Sequence, residues 1–208
     1  MNLKIILVIT VICFIFLSPF FKQGYFKTDD GEWAIIRLSE MRRELRDGQI
    51  PPRWSDMLNR GYGYPLFLFT YPLPYYAGSI LLVFGLGLTS SIKTIFIVST
   101  IAGAFGMYVF SKKYWDNIGG FVASVFYITV PYKLVNLYIR GSIGETVALG
   151  IVPWLFYCVD SIGKKKYAKL FTSLLFALLI ISHNVSALLF TPLVVTYFVL
   201  LNWKNKKF

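Results

Sequence analysis

Long uncharged apolar runs separated by short charged ones fill most of this chain. Residues 5–21 lie between Lys4 and Lys22 without a charge, long enough for about one bilayer crossing. No small-x-small cleavage site follows and many more apolar runs do, so the stretch reads as an uncleaved first membrane helix rather than a signal peptide. Further runs at 94–111, 118–131, 142–159, 168–182 and 185–201 predict membrane helices of the same kind. From Leu170 to Trp203 there are 34 residues without a formal charge if His183 is neutral. At 1.5 Å per residue they would reach about 50 Å, well beyond one hydrocarbon thickness. Ser182-His183-Asn184 is therefore the expected tight turn between two helices.

The one long polar stretch is residues 28–65. Asp29 with Glu32 three residues on forms a capping-box pattern. Ala34, Leu38, Met41 and Leu45 then share a narrow helical face, while Arg37, Glu40, Arg43, Glu44 and Asp47 lie away from it. Gly48 supplies a stop and Pro51-Pro52 forbid continuation. Such a helix, directly after a membrane helix, is expected to lie along the bilayer surface. Past Arg53-Trp54 and the turn-forming Gly61-Tyr62-Gly63-Tyr64, prolines at 65, 72 and 74 interrupt the next apolar run. Only residues 75–88 are unbroken, short of the roughly 20 needed for a crossing, so an interfacial or re-entrant helix is expected there.

Composition changes the picture in one respect. Of 208 residues, 56% are hydrophobic and only 15% charged, too apolar for an ordinary soluble domain, which carries about 25% charge. The net charge of +11 could suggest nucleic acid. Much of the lysine, however, sits in clusters at the ends of apolar runs (112–113, 164–166 with 169, and 204 with 206–207), which is how membrane proteins mark cytoplasmic loops. The expected partner is the lipid bilayer and not nucleic acid. Cys13 and Cys158 fall inside predicted membrane helices and read as packing residues. A lone histidine excludes the usual zinc sites.

If the proline-broken segment does not cross, Lys4 and all the lysine clusters share one side of the membrane; if it crosses, Lys4 parts from the rest. The first arrangement obeys the positive-inside pattern. The arginines of the polar stretch run against a simple count, but they are interleaved with acids, whereas the lysines sit at the ends of spans. The expectation is an all-α polytopic membrane protein of about six transmembrane helices, both termini cytoplasmic, residues 1–208 forming one module. Residues 22–90 would be its first extracytoplasmic loop with amphipathic juxtamembrane helices. The outer face then collects Asp29, Asp30, Glu32, Arg53, Lys133, Arg140, Glu145 and His183. Each has a structural reading as well as a chemical one: a helix cap for Asp29, a headgroup anchor for Arg53, an ion pair for Arg140 with Glu145, a turn residue for His183.

Asp29-Asp30, Pro52-Arg53-Trp54, Gly61-Tyr62-Gly63-Tyr64-Pro65, Pro131-Tyr132, Arg140-Gly141 with Glu145, and His183-Asn184 together resemble the bacterial membrane family labelled 6-pyruvoyl-tetrahydropterin synthase-related. That family is similar to the C-type (GT-C) glycosyltransferases, which take sugars from polyprenyl-phosphate carriers. A soluble pterin synthase uses three zinc-binding histidines and this chain has one, so the label does not carry its chemistry. The resemblance implies a GT-C-like N-terminal module in the inner membrane, truncated at its C-terminus relative to that superfamily. It implies a catalytic carboxylate, Asp29 or Asp30, in the loop after the first helix. Glycosyl transfer to a hydroxyl needs a base near the acceptor, and the departing lipid phosphate needs a fixed cation. Arg140 is the first candidate for that cation, Arg53 the second and Lys133 the third. Glu145 would orient Arg140 or bind acceptor, and His183 would act on a phosphate or a sugar hydroxyl. No cofactor is implied, and a divalent metal is left open. The rival reading is a non-catalytic membrane module that binds or moves lipid-linked glycans.

Overall fold

The protein is described here by a computed structural model covering residues 3–205. Its elements in order are α1 (Leu3–Phe16), α2 (Gly31–Arg46), α3 (Leu66–Phe69), α4 (Leu73–Val83), α5 (Leu88–Thr129), α6 (Pro131–Val135), a π-helical turn over Asn136–Arg140, α7 (Ile143–Asp160), α8 (Ala168–Ser182) and α9 (Asn184–Asn205). The described residues form no strand, only one antiparallel bridge between Ser55 and Tyr64. Among the described residues, three helices are long and apolar enough to cross a membrane: α5, α7 and α9. Leu188, Leu189, Leu193 and Leu200 on α9 stand more than half exposed, as suits a helix whose solvent is hydrocarbon.

The long helix α5 folds back on itself. At Trp115 and Asp116 the backbone leaves the helix, with Asp116 at φ 59°, a region that Asp tolerates better than most residues. Its Oδ1 accepts the Ile118 N–H at 2.7 Å and so caps the returning arm. Ser124 Oγ donates to the Ala104 carbonyl at 2.8 Å across the two arms. The expected runs at 94–111 and 118–131 are thus two legs of one hairpin.

Close approach explains how α7 docks on the outgoing arm. A Cβ on Gly150 would sit 2.7 Å from the Ser99 carbonyl, and one on Gly106 would sit 2.8 Å from the Trp154 ring. Trp154 Nε1 then reaches the Ala102 carbonyl at 2.8 Å. Small residues at a seam are how helices pack when lipid removes the usual hydrophobic drive. One buried cluster joins α1, α2, α4 and α5 around Phe20, Tyr75, Phe96 and Tyr108. A second joins α7, α8 and α9 around Leu155, Leu179 and Val194.

The ends of the bundle differ in character. Lys4 lies beside Ile118 and Phe121, and Lys113 pairs with Asp160, which also takes Lys164 at 3.1 Å. The Tyr114 and Tyr197 hydroxyls meet there at 2.6 Å. Lys4, Lys112–113 and Lys164–166 therefore gather at one end. Lys206 and Lys207 lie outside the described residues, as does the side chain of Lys204. At the opposite end the Tyr138 hydroxyl donates to the Phe16 carbonyl, and Lys93 Nζ donates to the Lys22 carbonyl at 2.5 Å.

Several boundaries differ from the sequence-based expectation. The first helix ends at Phe16 and passes into a 3₁₀ turn over Ser18–Phe21, because Pro19 cannot continue α-helical hydrogen bonding. In place of an unbroken 75–88 segment, α4 stops at Val83, with Gly85 at φ 91° turning the chain into α5. On α2, Ala34, Leu38 and Met41 are buried as expected, but so are Glu40 and Glu44. Residues 49–64 fold back over that side, with Gln49 N–H bonded to the Glu44 carbonyl at 2.9 Å. The expected Asp29 capping box is not formed. Thr28 Oγ1 instead accepts the Gly31 N–H at 3.0 Å, while Asp30 occupies the cap position with no side-chain bond.

Candidate functional site

Two segments far apart in sequence are joined by their main chains at the end opposite the lysines. The Asp29 N–H bonds to the Ile139 carbonyl at 2.9 Å, and the Asp30 N–H to the Arg140 carbonyl at 2.8 Å. Gly141 makes this possible. It turns the chain in the left-handed region at φ 65°, and a Cβ there would lie 2.3 Å from Thr28 Oγ1. The Asp29 and Asp30 carboxylates stay exposed and accept no hydrogen bond among the described residues.

The Arg140 side chain is fixed by a separate set of partners. Its Nη1 lies 2.6 Å from Glu145 Oε2 and donates to Tyr132 Oη and Asn136 Oδ1, each at 3.3 Å. Tyr132 donates its hydroxyl to the other oxygen of Glu145. Asn136 is oriented in turn by donating to Thr146 Oγ1 at 3.1 Å. All of these contacts use Nη1, which leaves the rest of a guanidinium side chain that is 39% exposed open to a ligand. Burial alone would lower the Arg140 pKa; Glu145 and Tyr132 outweigh it and raise it above the ordinary value. The bond to Glu145, with partial burial, pushes the Tyr132 phenol upward.

Tyr71 ties this group to the turn before α9. A Cβ on Gly144 would meet the Tyr71 ring at 2.3 Å and the Ser182 carbonyl at 2.6 Å, so the ring packs against the first turn of α7. It meets His183 edge to face, centroids 5.2 Å apart, and stacks on Tyr75 at 6.1 Å. The Ser186 N–H donates to His183 Nδ1 at 3.2 Å, so in the neutral ring Nε2 carries the hydrogen and faces other contacts. Burial lowers the His183 pKa, the Arg140 charge adds to that effect and Glu145 opposes it.

Of the residues expected from sequence, Asp29, Asp30, Arg140, Glu145 and His183 come together at this end. Arg53 and Lys133 do not join them. Arg53 is exposed on the loop covering α2 and makes no ion pair among the described residues. Lys133 is 2% exposed, with Nζ 4.3 Å from the Tyr127 ring centre. It points into the core toward Cys13, and burial pulls its pKa down to about 8. The proline kink that opens α6 turns Tyr132 toward Glu145 and so turns its neighbour inward. Sequence reasoning missed Tyr71, Tyr132, Asn136 and Arg37. Tyr132 stands next to Pro131 in a motif already noted, whereas nothing in the local pattern singled out Arg37 on an amphipathic helix.

These features define an all-helical membrane protein whose polar groups converge at one end of the bundle. The chain belongs to the 6-pyruvoyl-tetrahydropterin synthase related family of membrane proteins, whose profile matches residues 68–208. That stretch contains Arg140, Glu145 and His183 and leaves Asp29, Asp30 and Arg53 outside it. An uncharacterized protein of Lactococcus lactis subsp. cremoris (strain MG1363) is similar over 207 residues at 24% identity, covering 96% of this chain. The chain spans about a third of that relative's length, 34%. No solved structure matches. The residues do not fit the zinc of a soluble pterin synthase: His183 turns Nδ1 to Ser186, and no three metal-binding side chains gather among the described residues.

Proposed function

We propose that this protein is a GT-C-type glycosyltransferase module, which moves a sugar from a polyprenyl-phosphate donor to an acceptor hydroxyl on the extracytoplasmic face. The observation that carries the reading is the main-chain docking of Asp29 and Asp30 onto residues 139 and 140. It ties the backbone of two uncommitted carboxylates to that of an arginine whose side chain is fixed by Glu145. In this reading the acceptor oxygen attacks the anomeric carbon while Asp29 or Asp30 takes its proton. The bond to the lipid phosphate breaks, and Arg140 meets the charge that builds on the leaving oxygen. His183 Nε2 contacts a phosphate or sugar hydroxyl.

The accompanying topology has six crossings, with the lysine-rich end and both termini cytoplasmic in the inner membrane. The gathering of Lys4, Lys113 and Lys164 at one end supports it. Labelling that found residue 93 and residues 164–166 on the same side of the bilayer would overturn it. The activity test uses the protein in lipid nanodiscs with a short-chain polyprenyl-phosphate sugar. Loss of the base should lower transfer about 10²-fold or more in Asp29→Asn or Asp30→Asn. Unchanged transfer in both variants overturns catalysis by this pair. Donor binding without transfer in the unmodified protein favours the binding or moving of lipid-linked glycans.

A further inference from the structure

Beside this site, on the flank of α2, lies a cleft of about 510 Å³. Trp33, Ile36, Leu58, Tyr64 and Leu66 form its walls, and Arg37 is its only charged residue. Arg43 and Arg140 each have a carboxylate within ion-pair distance, whereas Arg37 has none among the described residues. Unlike the exposed Arg53 and Arg60, it is half-buried. Its buried Nε makes no hydrogen bond within the protein, while the Tyr75 hydroxyl neighbours the guanidinium and Asp30 acts on it from beyond ion-pair distance. A half-buried guanidinium without an acid partner is an open donor fork, and a planar fork suits the oxygens of a phosphate.

The walls say what else the ligand carries. Trp33 and Ile36 are 52% and 39% exposed, and on α3, which begins with the lining residue Leu66, Leu68 and Phe69 are 61% and 70% exposed. Exposed apolar side chains grouped in this way mark lipid or ligand contact. A soluble phosphate would use Arg37 and leave these walls wet; an amphiphile uses both.

We propose that this cleft holds the phosphate head of a membrane amphiphile, Arg37 taking the phosphate oxygens while Trp33, Ile36 and Leu66 cover the first segment of its chain. The site stands on α2 and its covering loop, so it is independent of whether the neighbouring carboxylates catalyse transfer.

The test measures binding of two probes, a short-chain polyprenyl phosphate and a short-chain phosphatidylglycerol, to the full chain in detergent. Arg37→Gln should weaken binding at least tenfold. Ile36→Glu, a change at a partly exposed wall position that leaves Arg37 in place, should weaken it severalfold by putting an acid beside the phosphate. Lys169→Gln, an exposed cation at the lysine-rich end, should leave affinity unchanged. Preference for the polyprenyl phosphate assigns the cleft to that carrier, and equal binding assigns it to phosphodiester and phosphomonoester heads alike; either supports the proposal. Binding of neither probe, equal loss in Lys169→Gln and Arg37→Gln, or full affinity in both cleft variants overturns it. Failure of the Asp29 and Asp30 variants to alter transfer leaves these outcomes untouched, so the two readings fail separately.

Discussion

At the lysine-rich end, Asp160 receives Lys113 and Lys164, and Lys165 reaches the Tyr157 hydroxyl at 2.5 Å. At the other end, Glu145 receives Arg140 and Tyr132, yet Asp29, Asp30 and Arg37 beside them have no ion-pair partner among the described residues. Each end has an ion-paired carboxylate, Asp160 or Glu145, that is less than a tenth exposed. The difference is in what surrounds it. One acid saturates its neighbours and joins α5 to α7; the other orients a single arginine within a group whose other charges stay open. Saturated charge holds a fold together, and open charge is where a ligand can bind.

The comparison can be tested by variants, taken from the largest expected effect on stability to the smallest. Lys133 is a cation of a third kind, buried with no acid partner. Below about pH 8 it is charged in both folded and unfolded chains and its burial is fully unfavourable. Between about 8 and the ordinary 10.5 only the unfolded chain keeps the proton, so stability should rise with pH by about 3 kcal/mol. Lys133→Met should be more stable at pH 7 by about 2 kcal/mol and lack that rise, as read by thermal melts in detergent. A less stable variant would mean that the amine has a partner.

Asp160→Asn should lose about 2 kcal/mol, because Lys113 is only 27% exposed and is left without its acid; Lys164, 63% exposed, adds little. Donor binding should be unchanged. Glu145→Gln should show the reverse balance. Its glutamine still accepts from Tyr132, so the melt should move by only about 1 kcal/mol, while Arg140 loses its orientation and transfer falls about 10²-fold. If the two variants had the same effect on activity, the ends would not differ as described. The smallest effect belongs to His183. Its folded pKa lies below the ordinary 6.5, so as pH falls past that value only the unfolded chain gains a proton. Stability should therefore decline slightly between pH 7 and 5, and His183→Gln should flatten the decline.

The hydrophobic pattern by itself determined the helical class and the membrane setting. The uncharged length of 170–203 required a turn, and the turn falls at His183. Gly48 and the prolines after it ended α2 where local chemistry dictates, and the lysines at 112–113 and 164–166 pointed to one end of the bundle. These features depend on neighbours within a few residues or on total apolar length, which a sequence displays directly.

The commitment of each charge was decided only by tertiary structure. Asp29 has the spacing of a cap, yet Thr28 takes that bond because residues 139 and 140 claim the Asp29 and Asp30 main chains. Lys133 follows Tyr132 on a helix of five residues, and the kink at Pro131 sends one outward to Glu145 and the other into the core. Arg37 reads as one more polar position on an amphipathic helix until the 49–64 loop folds over α2 and forms the cleft around it. Burial and partner choice depend on residues as many as a hundred positions away, and no local pattern carries that information.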